Sequence, residues 1–258
     1  MSNLFGSTPP GRPRGSGPNP RTVAWIVIGV AVVALLVRTH HLHITAVELM
    51  YVGALIPSVI LHEISHGAAA YAFGDDTAKR AGRLSLNPVR HVDPIGTFIL
   101  PALLALSGHG VIGWARPVPV NVSRLRNPRN EGVVVSLVGP AVNIALAVVL
   151  GVAYRTFSNN PERLLAGAGY LAGPTWLQFV FLAGLVNVFL AAFNLIPLPP
   201  LDGSVVIERL LPARLLPDYY RLRPLTIIIP LAIVLLFPSV IDDIFSPFIH
   251  LWTRAIGG

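Results

Sequence analysis

The chain has 258 residues, of which 53% are hydrophobic and only 12% charged. A water-exposed globular domain carries roughly 25% charged residues, so that class is excluded, and so is disorder for most of the chain. Cysteine is absent, which removes disulfide scaffolding, thiol catalysis, iron–sulfur ligation and cysteine-type zinc sites. The net charge of +7 would suggest nucleic acid on a soluble domain. On a membrane protein, however, Lys and Arg gather in cytoplasmic loops, and no nucleic-acid partner is needed.

In chain order, residues 1–20 are rich in Gly, Pro, Ser and Asn and read as a disordered cytoplasmic tail. Residues 21–258 read as a single membrane-embedded domain with its core over 45–210. The apolar run 22–37 follows Arg12, Arg14 and Arg21, which predicts an uncleaved first crossing with a cytoplasmic N-terminus. A second long segment, 45–73, is interrupted by His-Glu-Ile-Ser-His at 62–66. Polar sequence follows over 74–93, where Asp75 and Asp76 read as a solvated turn. The next apolar run, 94–107, is shorter than the roughly 20 residues a spanning helix needs. After a basic loop with Arg124, Arg126 and Arg129, two stretches are long enough to span, 132–154 and about 174–201. A basic amphipathic stretch, 203–223, precedes the last apolar run, 224–241. Asp242 and Asp243 read as a cap on that last helix, and Trp25, Trp176 and Trp252 as anchors at membrane boundaries.

The segment 94–107 decides the sidedness. If it dips into the membrane and returns, most Lys and Arg residues fall on the cytoplasmic side. If it crosses alone, every later element flips and the charges divide almost evenly. The positive-inside bias favours the first arrangement; a second full crossing by 108–120 would give the same sidedness. The predicted fold is therefore an all-α polytopic membrane protein. It has about six membrane segments including one membrane-embedded hairpin, with short β-like strands near the site, built from 111–122.

His62-Glu63-Ile64-Ser65-His66 matches H-E-x-x-H. On a helix, positions i and i+4 project from one face, so His62 and His66 can hold one zinc ion. Glu63 beside the first ligand can take a proton from a water. Three ionisable groups within a membrane span are expensive unless functional. A third protein ligand is needed. Asp202, in Asn194-Leu-Ile-Pro-Leu-Pro-Pro-Leu-Asp202-Gly203, ends a long apolar helix broken by Pro197, Pro199 and Pro200. In the hairpin arrangement both helices run from outside to inside, so Asp202 falls in the same leaflet as the histidines. With 94–107 crossing alone, Asp202 would lie about 30 Å away.

The pairing of His62-Glu63-x-x-His66 with Asn194-x-x-Pro197-x-Pro199-x-Leu201-Asp202-Gly203 resembles the site-2 proteases, intramembrane zinc metalloproteases. Gly113-Trp114-Ala-Arg116-Pro117-Val-Pro119-Val-Asn121 and Gly139-Pro140-x-x-Asn143 add to the likeness. It is to the compact bacterial branch with neither a PDZ nor a CBS domain. The resemblance implies one zinc per chain on His62, His66 and Asp202, and Glu63 as catalytic base. It also supports an active-site role for Asn143, read as an oxyanion donor; the alternative is a structural interhelical amide hydrogen bond. The 111–122 segment would be an edge strand for an unwound substrate, or a structural plug. The expected function is hydrolysis of transmembrane segments of single-pass membrane proteins in the cytoplasmic half of the cell membrane. The alternative is a membrane metal-binding protein or metal transporter without hydrolytic activity.

Overall fold

The computed structural model describes residues 45–93, 115–158, 173–199, 201–221 and 238–257, with a few isolated helical positions within 23–31. In chain order its α-helices are α1 (Ala46–Ala72), α2 (Thr77–Arg80), α3 (Pro128–Phe157), α4 (Thr175–Asn194), α5 (Ser204–Leu210), α6 (Leu216–Arg221) and α7 (Pro238–Gly257). The expected crossings over 45–73, 132–154 and 174–201 correspond to α1, α3 and α4. Among the described residues these are the three helices long and apolar enough to cross a membrane. The tail 1–20, the hairpin 94–107 and most of the 22–37 and 224–241 runs lie outside the described residues.

Each long helix begins where the sequence supplies a cap. At α1 the Thr45 side chain accepts from the Glu48 N–H while the Thr45 N–H donates to Glu48 Oε2 at 2.6 Å. This reciprocal box satisfies two donors that would otherwise face an apolar medium, and such a cap is worth about 1 kcal/mol. Asn127 caps α3, with Pro128 at its first position, where the missing N–H costs nothing.

The helices α1, α3 and α4 pack on one another. Their outward faces keep large apolar side chains exposed, among them Val52 and Ile56 on α1 and Val148, Val149 and Val152 on α3, the pattern expected where lipid is the solvent. Between the helices the residues are small. Ala54 of α1 packs with Ala183 and Val186 of α4, the close approach that membrane helices use in place of a hydrophobic drive. On the other side, Ala147, Tyr154, Leu177, Phe181, Trp252 and Ile256 form one apolar cluster.

Several expectations are corrected here. Trp252 is not a boundary anchor. It is buried at 8% exposure, its indole N–H donates to the Ala147 carbonyl at 3.0 Å, and its ring fills the space beside Gly151 and Gly184. Trp176 is exposed, and Trp25 lies outside the described residues. Asp242 and Asp243 do not cap a helix end; they lie within α7, which begins at Pro238. The short β-like strands are not found, because no strand occurs among the described residues. Residues 115–121 run between helical turns without a ladder. Pro117 and Pro119 have no N–H to give, and the amides that remain are spent elsewhere, as described below.

Gly184 has no room for a side chain: a Cβ there would lie 2.3 Å from Trp252 Cζ2. The indole is rigid and held by its hydrogen bond, so it cannot step aside. Gly184→Ala is expected to destabilise the fold by about 1–3 kcal/mol, read as a lower Tm in detergent. An unchanged Tm would mean that α7 does not dock there.

Candidate active site

His62 and His66 lie one turn apart near the C-terminal end of α1, and both are buried. Their imidazoles meet edge to face with Nε2 atoms 3.1 Å apart. Asp202 Oδ2 lies 3.1 Å from His62 Nε2 and 3.3 Å from His66 Nε2. Two elements distant in sequence, α1 and the loop after α4, thus bring three ligand atoms together.

The backbone after α4 explains how Asp202 arrives there. Prolines end the helix, and the Gly203 N–H returns to the Asn194 carbonyl at 2.7 Å, closing the loop. Gly203 admits no side chain, because a Cβ would lie 2.3 Å from the Leu195 carbonyl oxygen. Ser136 of α3 donates to the Asp202 carbonyl at 3.0 Å, holding the loop against α3. Within α3, Pro140 removes the N–H that would bond Ser136's own carbonyl.

The protons on the imidazoles are directed away from the meeting point. His66 Nδ1 lies 2.6 Å from the Val135 carbonyl, which can only accept. His62 Nδ1 donates to Asn143 Oδ1 at 2.6 Å. Each ring therefore turns an Nε2 lone pair toward the Asp202 carboxylate. Asp202 Oδ2 is buried and has no hydrogen-bond partner. A single proton could bridge only one of the three close pairs, whereas a divalent cation satisfies all three. The spacing also fits zinc. Bonds of about 2.0–2.2 Å in a tetrahedron put neighbouring ligands about 3.3 Å apart. Two imidazoles and a carboxylate are a protein ligand set of the kind catalytic zinc sites use, in which the fourth position takes water or substrate.

Asn143 reaches the site through its oxygen. Its Nδ2 is engaged by Asn187 Oδ1 at 2.8 Å, and the side chain is 0% exposed. Of the two roles expected for Asn143, the structure displays the interhelical amide hydrogen bond, with the amide oxygen facing His62. Sequence reasoning missed Asn187 and Ser58, although an amide in the middle of the apolar run 175–194 is a signal of the same kind as the histidines.

Glu63 is partly buried, and its Oε2 accepts the Val118 N–H at 2.7 Å. The segment 115–121 is held at two further amides: Arg116 N–H to the His91 carbonyl at 2.7 Å, and Asn121 N–H to Asp75 Oδ2 at 2.6 Å. Asp75 is therefore not a solvated turn residue. It is 0% exposed and also accepts from the Thr77 hydroxyl and N–H. Asp76 keeps the surface role, pairing with Arg80 and Arg124.

Among known proteins, a family model described as peptidase family M50 matches residues 161–237, a stretch that contains Asp202 but not the histidines. "Putative zinc metalloprotease YwhC" of Bacillus subtilis is 42% identical, over 61% of this chain and 67% of the relative. The chain belongs to peptidase family M50. "Putative zinc metalloprotease Rip2" of Mycobacterium tuberculosis is 36% identical and that of Mycolicibacterium smegmatis 33%, each match covering 63% of this chain and 57% of the relative. The chain thus spans little more than half the length of the Rip2 proteins. No solved structure matches it. This M50 protein is a membrane metalloprotease of the site-2 type with zinc as its metal.

Two outcomes follow from this geometry. Gly139 of α3 abuts both rings: a Cβ there would lie 2.3 Å from His66 Nε2 and 2.7 Å from His62 Cε1. Gly139→Ala is expected to lower zinc content well below one per chain while circular dichroism keeps its helical signal; full zinc occupancy would contradict the packing. The second concerns Asp75. Burial opposes its ionisation, but hydrogen bonds from the Thr77 hydroxyl, the Asn121 N–H and the Thr77 N–H outweigh this and hold its pKa below the ordinary carboxylate value. A depressed folded pKa stabilises above the unfolded value of about 3.9 and is lost as pH falls through the folded one. Wild type should therefore exceed Asp75→Asn in Tm near neutrality, with the difference shrinking below about pH 4. A gap independent of pH would contradict it.

Proposed function

We propose that this M50 protein is an intramembrane endopeptidase that cleaves transmembrane segments of single-pass membrane proteins, with His62, His66 and Asp202 as zinc ligands and Glu63 as general base. The observation that carries the reading is the convergence of two imidazole nitrogens and a buried carboxylate oxygen within 3.3 Å of one another, between helices whose outer faces are apolar.

Bound there, zinc would polarise a scissile carbonyl and make a water easier to deprotonate. Glu63 follows His62 in the chain, so its carboxylate lies beside the ligand set. One of its oxygens is engaged by the Val118 N–H. The other can accept a proton from water and return it to the departing amine. The two buried histidines and the apolar helices around them lower the local dielectric, which strengthens each of these electrostatic effects. A helical substrate has every backbone group already bonded, so it must be presented unwound. The cytoplasmic half of the bilayer is the proposed depth, supported by the bias of arginines toward the loops at that end of α1 and α3.

A metal-transport reading finds less support. Among the described residues, groups of three or more ligating side chains occur at this one place, whereas a path needs them at several depths. Purified protein in vesicles with a set of tagged single-pass segments tests the reading. Glu63→Gln is expected to retain zinc and to lower cleavage by at least about 100-fold. Equal cleavage by wild type and Glu63→Gln would reject Glu63 as the base.

A further inference from the structure

The His62–Asn143 hydrogen bond does not end at Asn143. Asn143 Nδ2 donates to Asn187 Oδ1 at 2.8 Å, and Asn187 Nδ2 donates to Ser58 Oγ at 2.9 Å and to the Ala183 carbonyl at 2.8 Å. Ser58 Oγ in turn donates to the Ala54 carbonyl at 2.8 Å. Asn143 and Asn187 are at most 1% exposed and Ser58 is 5% exposed. The chain of bonds joins α3, α4 and α1 and ends on two main-chain carbonyls.

Those carbonyls give the chain a direction. A carbonyl only accepts, so the Ala183 oxygen draws the nitrogen of the Asn187 amide, not its oxygen. The Ser58 hydroxyl has given its proton to Ala54 and can only accept from Asn187. Both amide hydrogens of Asn187 are thereby used, and its oxygen must face Asn143. Asn143 then has to turn its nitrogen to Asn187 and its oxygen to His62. An oxygen facing Nδ1 requires a proton on Nδ1, which leaves the Nε2 lone pair for the metal. A flipped Asn143 would present an N–H to Nδ1 and favour the opposite tautomer, whose Nε2–H cannot bind zinc.

We propose that Asn187, whose hydrogen bonds go to Asn143, Ser58 and Ala183 and to no zinc ligand, is a positioning residue that fixes the zinc-binding tautomer of His62 through Asn143. Ser58 supports it by taking one of its two amide hydrogens. His66 needs no such device, because Val135 offers it a carbonyl directly. The inference rests on the reading of His62 as a zinc ligand.

The test is a double-mutant cycle on zinc affinity, measured by chelator competition on the full chain in detergent, with helical content as the folding control. Asn187→Leu removes both ends of the amide at similar size and is expected to weaken zinc binding by about 10- to 100-fold. Asn143→Asp presents an acceptor to His62 whichever way it is turned, so in that background Asn187→Leu should change zinc affinity little. Nitrogen NMR of labelled His62 should show the Nδ1 proton in wild type and a tautomer mixture in zinc-free Asn187→Leu. Wild-type affinity in Asn187→Leu, or the same loss in both backgrounds, would overturn the proposal. If Asn187→Leu does not fold, Asn187→Ala should give a comparable loss that disappears in the Asn143→Asp background, and no loss at all would likewise overturn it. A wild-type chain that binds no zinc would instead reject the ligand reading on which this one rests.

Discussion

Two imidazole lone pairs and a carboxylate oxygen repel one another at 3.1–3.3 Å, and in this protein the surrounding helices hold them there in an apolar medium. The repulsion is strongest where water is excluded, so the arrangement is stable only around a cation. Much of the local structure serves that one requirement. Gly139 leaves space for the two rings, the Val135 carbonyl and Asn143 turn their protons outward, and Ser136 with the closed loop 194–203 delivers the carboxylate.

The same site is where the helix bundle departs from its apolar rule. Asn143, Asn187 and Ser58 are buried polar groups, each of which would be costly alone in such a setting. They are tolerated because every one is bonded, and because the chain of bonds ends on main-chain carbonyls rather than on another side chain with a choice of orientation. A fully satisfied polar network of this kind specifies one packing of three helices. At the far side of the bundle the Trp252 indole does related work, linking α7 to α3 by one hydrogen bond and to α4 by its fit against Gly184.

The sequence was most legible where the pattern is local. The H-E-x-x-H spacing places two rings on one face of any helix, and the long uncharged runs 132–154 and 174–201 have the length of crossings. Asp202 was legible through a different argument, since it is an acid at the end of an apolar helix that charge bias brings to the same leaflet. Roles set by tertiary contact were not. Asp75 looks like any acid in a turn until Asn121 is brought to it, and Trp252 looks like an interfacial aromatic until α7 folds over two glycines. Asn143 was recognised as a site residue, but which end of its amide faces His62 depends on Asn187, 44 positions away. The 111–122 run has strand-forming residues, yet over 115–121 its amides go to a carbonyl and two carboxylates. Alternating residue types could not reveal those partners.

The central claim is that His62, His66 and Asp202 bind one zinc ion together. X-ray absorption at the zinc edge of the purified chain tests it most directly. The account predicts one zinc per chain with two imidazoles and oxygen ligands at about 2.0–2.2 Å, and a shell that loses an oxygen, or the metal altogether, in Asp202→Ala. A wild-type shell unchanged in Asp202→Ala would contradict it.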